Sequence, residues 1–365
     1  MPVYRPEIEA LAPYEVGRPI TEVAREVGLE PGSIIRLTAN ETPFGPFPGV
    51  AEAALEAIEN SNRYPDNDAW DLSHALAEDL GVSRSNLIFG NGSTALLVDS
   101  VNAVGGPGTN VVYGWPSFIM YRFAAVWAGS GSVEVPLTPE HKFDLDQISD
   151  AIDRHTRVVF ICNPNNPTGT LLAHDDVAAF VRSVPESVLV VIDEAYHDFV
   201  DAGGHQSAIP LAVASANLLV LRTFSKIYGL AGHRIGYGIA SDDLIAELRK
   251  AQQPLTVSSV AQAAARASLG QTDELRRRSG ANRAGRHHLM GVMGERGLDY
   301  ARSQTNFVFF KMPSEDSRLC AAEFTSRGVI IRPMSGGWMR VTVGSPEENE
   351  KFVRVLDEVI DSVSD

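Results

Sequence analysis

The chain has 365 residues, 44% of them apolar and 21% charged, with a formal net charge of -15. That length accommodates two domains or one large α/β domain with an appendage, and the composition is that of an ordinary globular protein. The negative balance, without any Lys/Arg-rich run, argues against a nucleic-acid partner, because phosphate backbones need clustered positive charge.

Residues 1–35 read as an arm, with Pro2 and Pro6 early and a short helix over Ile20–Val27. The first seven residues carry no apolar signal core, and no apolar run approaches the ~20 residues of a membrane span. Strands are expected over 86–89, 110–113, 133–135, 158–161, 188–192 and 218–221. Several, such as Val158-Val159-Phe160-Ile161, are apolar at every position. That marks strands buried on both faces, as in a parallel sheet covered by helices. Helices over 51–58, 69–80 and 175–183 alternate with them, so a doubly wound α/β unit is expected.

After about residue 240 the pattern changes. A helix over 242–252 and further helices to about 296 are followed by short strands at 307–310, 329–331 and 340–343, then a last helix over 347–363. The expected division is an arm (1–35), a large α/β domain with a mostly parallel sheet and helices on both faces (36–240), and a smaller α+β domain (241–365). The two cysteines, Cys162 and Cys320, fit a reducing cytoplasm. The nine histidines show no metal-ligand spacing.

Four segments carry chemistry. Gly90-Asn91-Gly92-Ser93-Thr94-Ala95 follows a strand and opens a helix, whose first N–H groups could hold a phosphate. The spacing also fits a relaxed dinucleotide fingerprint, which keeps a Rossmann oxidoreductase in play. However, the end of the next strand holds Tyr113, Gly114 and Trp115 where that fingerprint wants an acid. Asn163-Pro164-Asn165-Asn166-Pro167-Thr168-Gly169 forces a turn at a strand's C-terminal end, where open α/β sheets bind ligands. Turn chemistry alone would also account for it. Asp193-Glu194-Ala195-Tyr196 puts an acid at the rim of a dry core, which is costly unless a cation or donors meet it; a helix N-cap is the alternative. Finally, Lys226 lies between Thr223, Ser225 and Arg234. A Schiff-base lysine beside a phosphate needs such neighbours, while a solvated loop lysine does not.

In that order, at successive strand ends, these segments resemble a fold-type I pyridoxal phosphate (PLP)-dependent aminotransferase. The chain is similar above all to the histidinol-phosphate aminotransferase family, including its aromatic amino acid aminotransferase branch. The resemblance extends through Asn40-Glu41-Thr42-Pro43, Asn62-Arg63-Tyr64-Pro65-Asp66, Pro116-Ser117-Phe118, Arg234-Ile235-Gly236-Tyr237, Thr305-Asn306-Phe307 and Arg340-Val341-Thr342, nearly the whole chain.

The resemblance implies that Lys226 bonds PLP and moves the proton of transamination, and that Asp193 pairs with the pyridine nitrogen. It gives Asn166 and Tyr196 to the cofactor's 3′ oxygen, and Phe118 to the ring face. It assigns the phosphate to Gly92, Ser93, Thr94, Thr223, Ser225 and Arg234. Tyr64 would reach the phosphate of the neighbouring subunit's cofactor, which implies a homodimer with shared sites. Arg340 would grip the substrate's anionic group with Arg332 as a second arginine, and Tyr14, Asn40 and Asn166 would line the substrate pocket. The implied reaction moves an amino group between an aromatic amino acid or histidinol phosphate and 2-oxoglutarate. Ile227, His233, Trp115 and Trp338 depart from the family pattern or add bulk near the substrate side. A PLP decarboxylase of a phosphorylated amino acid shares the cofactor motifs, and a non-catalytic binding domain on the same scaffold is a further alternative.

Overall fold

A computed structural model describes residues 2–14 and 17–364. Its strands are β1 (Ile35–Arg36), β2 (Leu87–Asn91), β3 (Asn110–Trp115), β4 (Gly131–Pro136), β5 (Thr156–Cys162), β6 (Leu189–Asp193), β7 (Leu218–Thr223), β8 (Ile235–Ile239), β9 (Phe307–Lys311), β10 (Val329–Ile330), β11 (Arg332–Pro333) and β12 (Trp338–Thr342). Seven form one sheet in the order β2-β8-β7-β6-β5-β3-β4. From β7 through β4 the neighbours are parallel, whereas β8 runs antiparallel to both β7 and β2. All six expected strands of this sheet are present, within one or two residues at most ends.

The all-apolar strands are the central ones. Every residue of β6 and of β7 is buried, and Val158–Ile161 of β5 have no exposed surface. Helices on the two faces account for this. Helix Ser93–Val104 contributes Leu96, Leu97 and Val101, helix His174–Ser183 contributes Val177, Phe180 and Val181, and all join one core with the strands. Helix Ser259–Ser268, well past residue 240, also packs its alanines into this core.

Strand β8 has no counterpart among the expected elements, because Gly236 and Gly238 interrupt its apolar run and read as a loop. Packing explains both glycines. A Cβ at Gly236 would strike the backbone nitrogen of Ser93, and one at Gly238 would press on Ile88 and Leu219 at 2.9 and 3.0 Å.

A second sheet, β11-β12-β9, is antiparallel. Its Val308, Phe310, Met339 and Val341 face a separate core with Leu289, Phe324 and Phe352 from helices Thr272–Glu295, Ser317–Ser326 and Pro346–Ser364. Alternation puts Trp338, Arg340, Thr342, Phe307 and Phe309 on the opposite face, toward the large sheet. β1 pairs with β10, which ties the N-terminal segment to this smaller unit. Among the described residues no helix is long and apolar enough to cross a membrane.

Candidate active site

β2, β5, β6 and β7 point the same way, so their C-terminal ends share one edge of the large sheet. The antiparallel β8 begins at that edge. The four segments singled out by sequence therefore meet there: Gly92–Thr94 after β2, Asn163–Gly169 after β5, Asp193–Tyr196 ending β6, and Thr223–Arg234 between β7 and β8.

The cup after β2 is built by close approach. Helix Ser93–Val104 starts on Gly92, so no side chain caps its first amides. Gly92 takes φ +74, and a Cβ there would run into the Arg234 guanidinium. Gly92 N–H donates to Arg234 O at 3.0 Å. Arg234 itself holds φ +55, an uncommon conformation for a residue with a side chain. Its Nη1 donates to Ala231 O at 3.1 Å and reaches Ser225 Oγ at 3.4 Å. Ser225 N–H donates to Thr223 Oγ1 at 3.0 Å. Helix N-terminus, two hydroxyls and a guanidinium thus surround a space suited to a phosphate.

Lys226 is half-buried, with Nζ 3.4 Å from Ala39 O and 5.5 Å from the centre of the Tyr196 ring. Burial, with the nearby Arg340 and Arg234 guanidinia, lowers its pKa to about 8. The shift favours the neutral amine, which is the nucleophilic form. Asp193 is 5% exposed, and burial raises its pKa to about 6 against the opposing pull of Ala195 N–H, Tyr121 O–H and Lys226. Ala195 N–H donates to Oδ1 at 3.1 Å and Tyr121 O–H to Oδ2 at 3.2 Å. Two bonds leave the carboxylate further lone pairs for a cationic N–H.

On the side of the small sheet, Arg340 is 9% exposed, and burial lowers its pKa to about 10. Its Nη1 donates to Asn166 Oδ1 at 2.5 Å and its Nη2 to Thr38 O at 2.6 Å, while Nε is buried without a partner among the described residues. Arg332 sits opposite it in the β11–β12 register. Asn40 Nδ2 donates to Tyr196 Oη at 2.9 Å, and Asn40 N–H to Thr342 Oγ1 at 3.0 Å. Asn306 Nδ2 donates to Asn40 O at 2.9 Å. The arm's Tyr14 packs edge-on against Phe123, 6.2 Å between centroids, and is close enough to raise the pKa of Arg340. Phe118 meets Tyr121 edge-on at 5.8 Å.

Fifteen of the sixteen residues singled out are thus grouped around this edge or the small-sheet face opposite. Tyr64 is the exception. It is 87% exposed and lies in a loop near the exposed Leu55, Ile58 and Trp70. Of the departures, Ile227 is buried against Tyr196 and Phe307. Trp338 stacks on Phe309 at 4.4 Å with His141 edge-on, and Trp115 carries the Arg122 guanidinium on its face.

Sequence reasoning passed over Tyr121 and Thr38, and gave Thr342 no role. Tyr121 falls three residues after Phe118 at a helix entry, a spacing that could have flagged the pair, but its apolar surroundings read as core. A cavity of about 320 Å³ lies elsewhere, between helix Thr272–Glu295 and residues 343–350. None of the sixteen residues lines that cavity. The dinucleotide alternative loses its footing here: β2 is an edge strand whose neighbour is antiparallel, whereas that fingerprint belongs to a strand within a parallel βαβ unit.

Residues 32–356 match the family model described as aminotransferase class I and II. The chain is 41% identical over 360 residues to histidinol-phosphate aminotransferase 2 of Ralstonia nicotianae, covering 97% of this chain and 96% of that one. It is 39% identical over 356 residues to the aromatic amino acid aminotransferase of Streptomyces avermitilis, covering 98% and 97%. Among solved structures, the histidinol-phosphate aminotransferase of Sinorhizobium meliloti in complex with pyridoxal-5′-phosphate superposes with a TM-score of 0.90 at 30% identity, covering 99% of this chain and 98% of that one. Neither the decarboxylase nor the oxidoreductase alternative finds support in these comparisons.

Proposed function

The chain belongs to the aminotransferases of class I and II, and from that premise we propose which substrates it takes and which side chains serve it. Its cofactor is pyridoxal phosphate, and its reaction is transamination between an amino donor and a 2-oxo acid. When bound, the cofactor's pyridine ring takes up the electron pair left as the substrate loses its α-proton.

The residues at the strand-end edge fit that group. The cradle between Gly92 and Arg234 leaves no room for a Cβ, and the buried Asp193 has lone pairs to offer a pyridinium N–H. Gly92, Ser93, Thr94, Thr223, Ser225 and Arg234 hold the phosphate. Asp193 would hold the ring nitrogen, Phe118 would cover a ring face, and Tyr196 and Asn166 would hydrogen-bond the 3′ oxygen. Lys226 would hold the cofactor at its aldehyde carbon and, as a free amine, would carry the proton at the substrate's α-carbon. The single observation that carries this reading is the meeting, on one sheet edge, of Lys226, the buried Asp193 carboxylate and the Gly92–Arg234 cradle.

Arg340, braced by Asn166 and Thr38, receives the substrate's anionic end, with Arg332 beside it and Tyr14 and Asn40 closing the pocket. The donor carries an aromatic or imidazole ring, as the names of both curated relatives suggest, and 2-oxoglutarate is the acceptor. Tyr64, like Leu55, Ile58 and Trp70 nearby in sequence, is a large apolar side chain left exposed, which favours a homodimer with shared sites. We place the protein in the cytoplasm. We divide it into an arm (1–35), a large domain (36–240) and a small domain (241–365), with helix Ser259–Ser268 packed back on the large one.

The test is a panel of donors against 2-oxoglutarate, including histidinol phosphate, phenylalanine, tyrosine and tryptophan. Turnover is expected with at least one of them, together with an absorbance band near ~420 nm that borohydride abolishes, as a lysine-bound PLP requires. Absence of the band with added PLP, or turnover confined to donors without a ring, sinks the proposal.

A further inference from the structure

Tyr121 is fully buried, on helix Met120–Ala128. Its ring lies flat on Phe160 of β5 at 4.5 Å and 8°, and meets Phe118 edge-on at 5.8 Å and 89°. Its hydroxyl donates to Asp193 Oδ2 at 3.2 Å. A phenylalanine would serve the stacking equally well, so the hydroxyl calls for another explanation: buried hydroxyls are retained where they meet a partner. Here the partner is the carboxylate assigned to the cofactor's ring nitrogen, and the ring also touches the side chain assigned to the cofactor's face.

We propose that Tyr121 is a positioning residue for the cofactor: its hydroxyl fixes the Asp193 carboxylate in its ionised, correctly turned state, and its ring seats Phe118. This rests on the assignment of Asp193 to the ring nitrogen. The groups that face Asp193 are few. The Cys162 thiol at the end of β5 is held neutral by burial, and Tyr196 likewise keeps its proton. Lys226, from the loop after β7, favours the carboxylate, while the neighbouring Glu194 opposes it. Glu194 spends its own charge on Arg222, at 2.9 Å. Besides Ala195 N–H, Tyr121 is therefore the neutral donor that keeps Asp193 ionised in a dry setting. Removing the hydroxyl moves the protonation of Asp193 to higher pH.

The experiment measures PLP affinity of the apoprotein by quenching of tryptophan fluorescence between pH 5 and 8, independently of turnover. Tyr121→Phe is expected to weaken PLP binding about 10-fold at neutral pH, the loss of a hydrogen bond to a charged group, and to move the acid limb of binding to higher pH. In an Asp193→Asn background the same substitution should change binding less than about 2-fold, since the two act as one unit. Tyr113→Phe removes a buried hydroxyl bound to Glu134 in the same aromatic cluster and should leave the acid limb in place. An equal loss in both backgrounds, or an unmoved limb in Tyr121→Phe, overturns the proposal. If Asp193→Asn alone leaves PLP affinity unchanged, the assignment of Asp193 itself fails, which is a separate outcome.

Discussion

The strand-end edge of the large sheet and the facing side of the small sheet are built on different logics. At the edge, groups from several strand ends sit within one core; local contacts hold Ser225 by Thr223, Arg234 by Ala231 and Asp193 by Ala195, and contacts inside the same core add Tyr121 on Asp193 and Gly92 on Arg234. On the small sheet, Arg340 is held by Asn166 and Thr38, 174 and 302 residues away. The first region is a rigid cradle within one core. The second exists only while two cores are packed against each other. This difference suggests that the chemistry belongs to the edge, and that substrate selection belongs to a contact which relative motion of the two units would loosen.

The largest test breaks the edge. Lys226→Ala should abolish transamination, a loss of several orders of magnitude, while PLP still binds noncovalently to the untouched phosphate cup. Activity near wild type would remove the lysine from the reaction. Breaking the other region should look different. Arg340→Ala is expected to raise KM for the amino donor about 100-fold, the scale of a lost charge-assisted pair, with PLP affinity within about 2-fold. Should the substitution release PLP as strongly as it weakens substrate, the two regions are not separable.

A smaller effect is expected from Tyr64, which reaches neither region of its own chain. Tyr64→Phe should weaken PLP binding about 10-fold by loss of one hydrogen bond to a charged phosphate. In heterodimers with Lys226→Ala, the site that keeps Lys226 receives an intact Tyr64 from its partner and should regain wild-type PLP affinity. An unchanged affinity would place Tyr64 in packing alone.

The smallest effect concerns pH. The Lys226 pKa falls from 10.5 to about 8 on burial, so between those values the unfolded chain binds more protons than the folded one. The contribution of this lysine to stability therefore rises with pH across that window and is lowest below it. Apo Lys226→Met should melt above apo wild type at pH 7, and the gap should close as pH rises through 8 toward 10.5. A constant gap would mean that the lysine is solvated.

The cradle was legible in sequence because parallel sheets leave a readable sign. Runs such as Val158–Ile161 are apolar throughout, and the polar residue that ends each run stands out at the rim. β8 was not legible, since Gly236 and Gly238 serve close packing against Ser93, Ile88 and Leu219 and look like loop residues. Nor was Tyr121, whose ring obeys the packing rules of any core aromatic and whose hydroxyl acquires meaning only from a carboxylate 72 residues away. Tyr14 and Arg332 were reached by resemblance to a family and not by any local pattern.

Sequence by itself determined the parallel strands of the large sheet and the polar residues that end them, and through these pointed to the cofactor class, because they follow from local apolar runs and the residues that stop them. Tertiary structure alone decided that the segment after Arg234 turns back as strand β8 between β2 and β7, that Tyr121 meets Asp193, and that Arg340 reaches Asn166. Each of these depends on which strands become neighbours and how two cores face each other. That is set by packing summed over the whole chain, which no local pattern encodes.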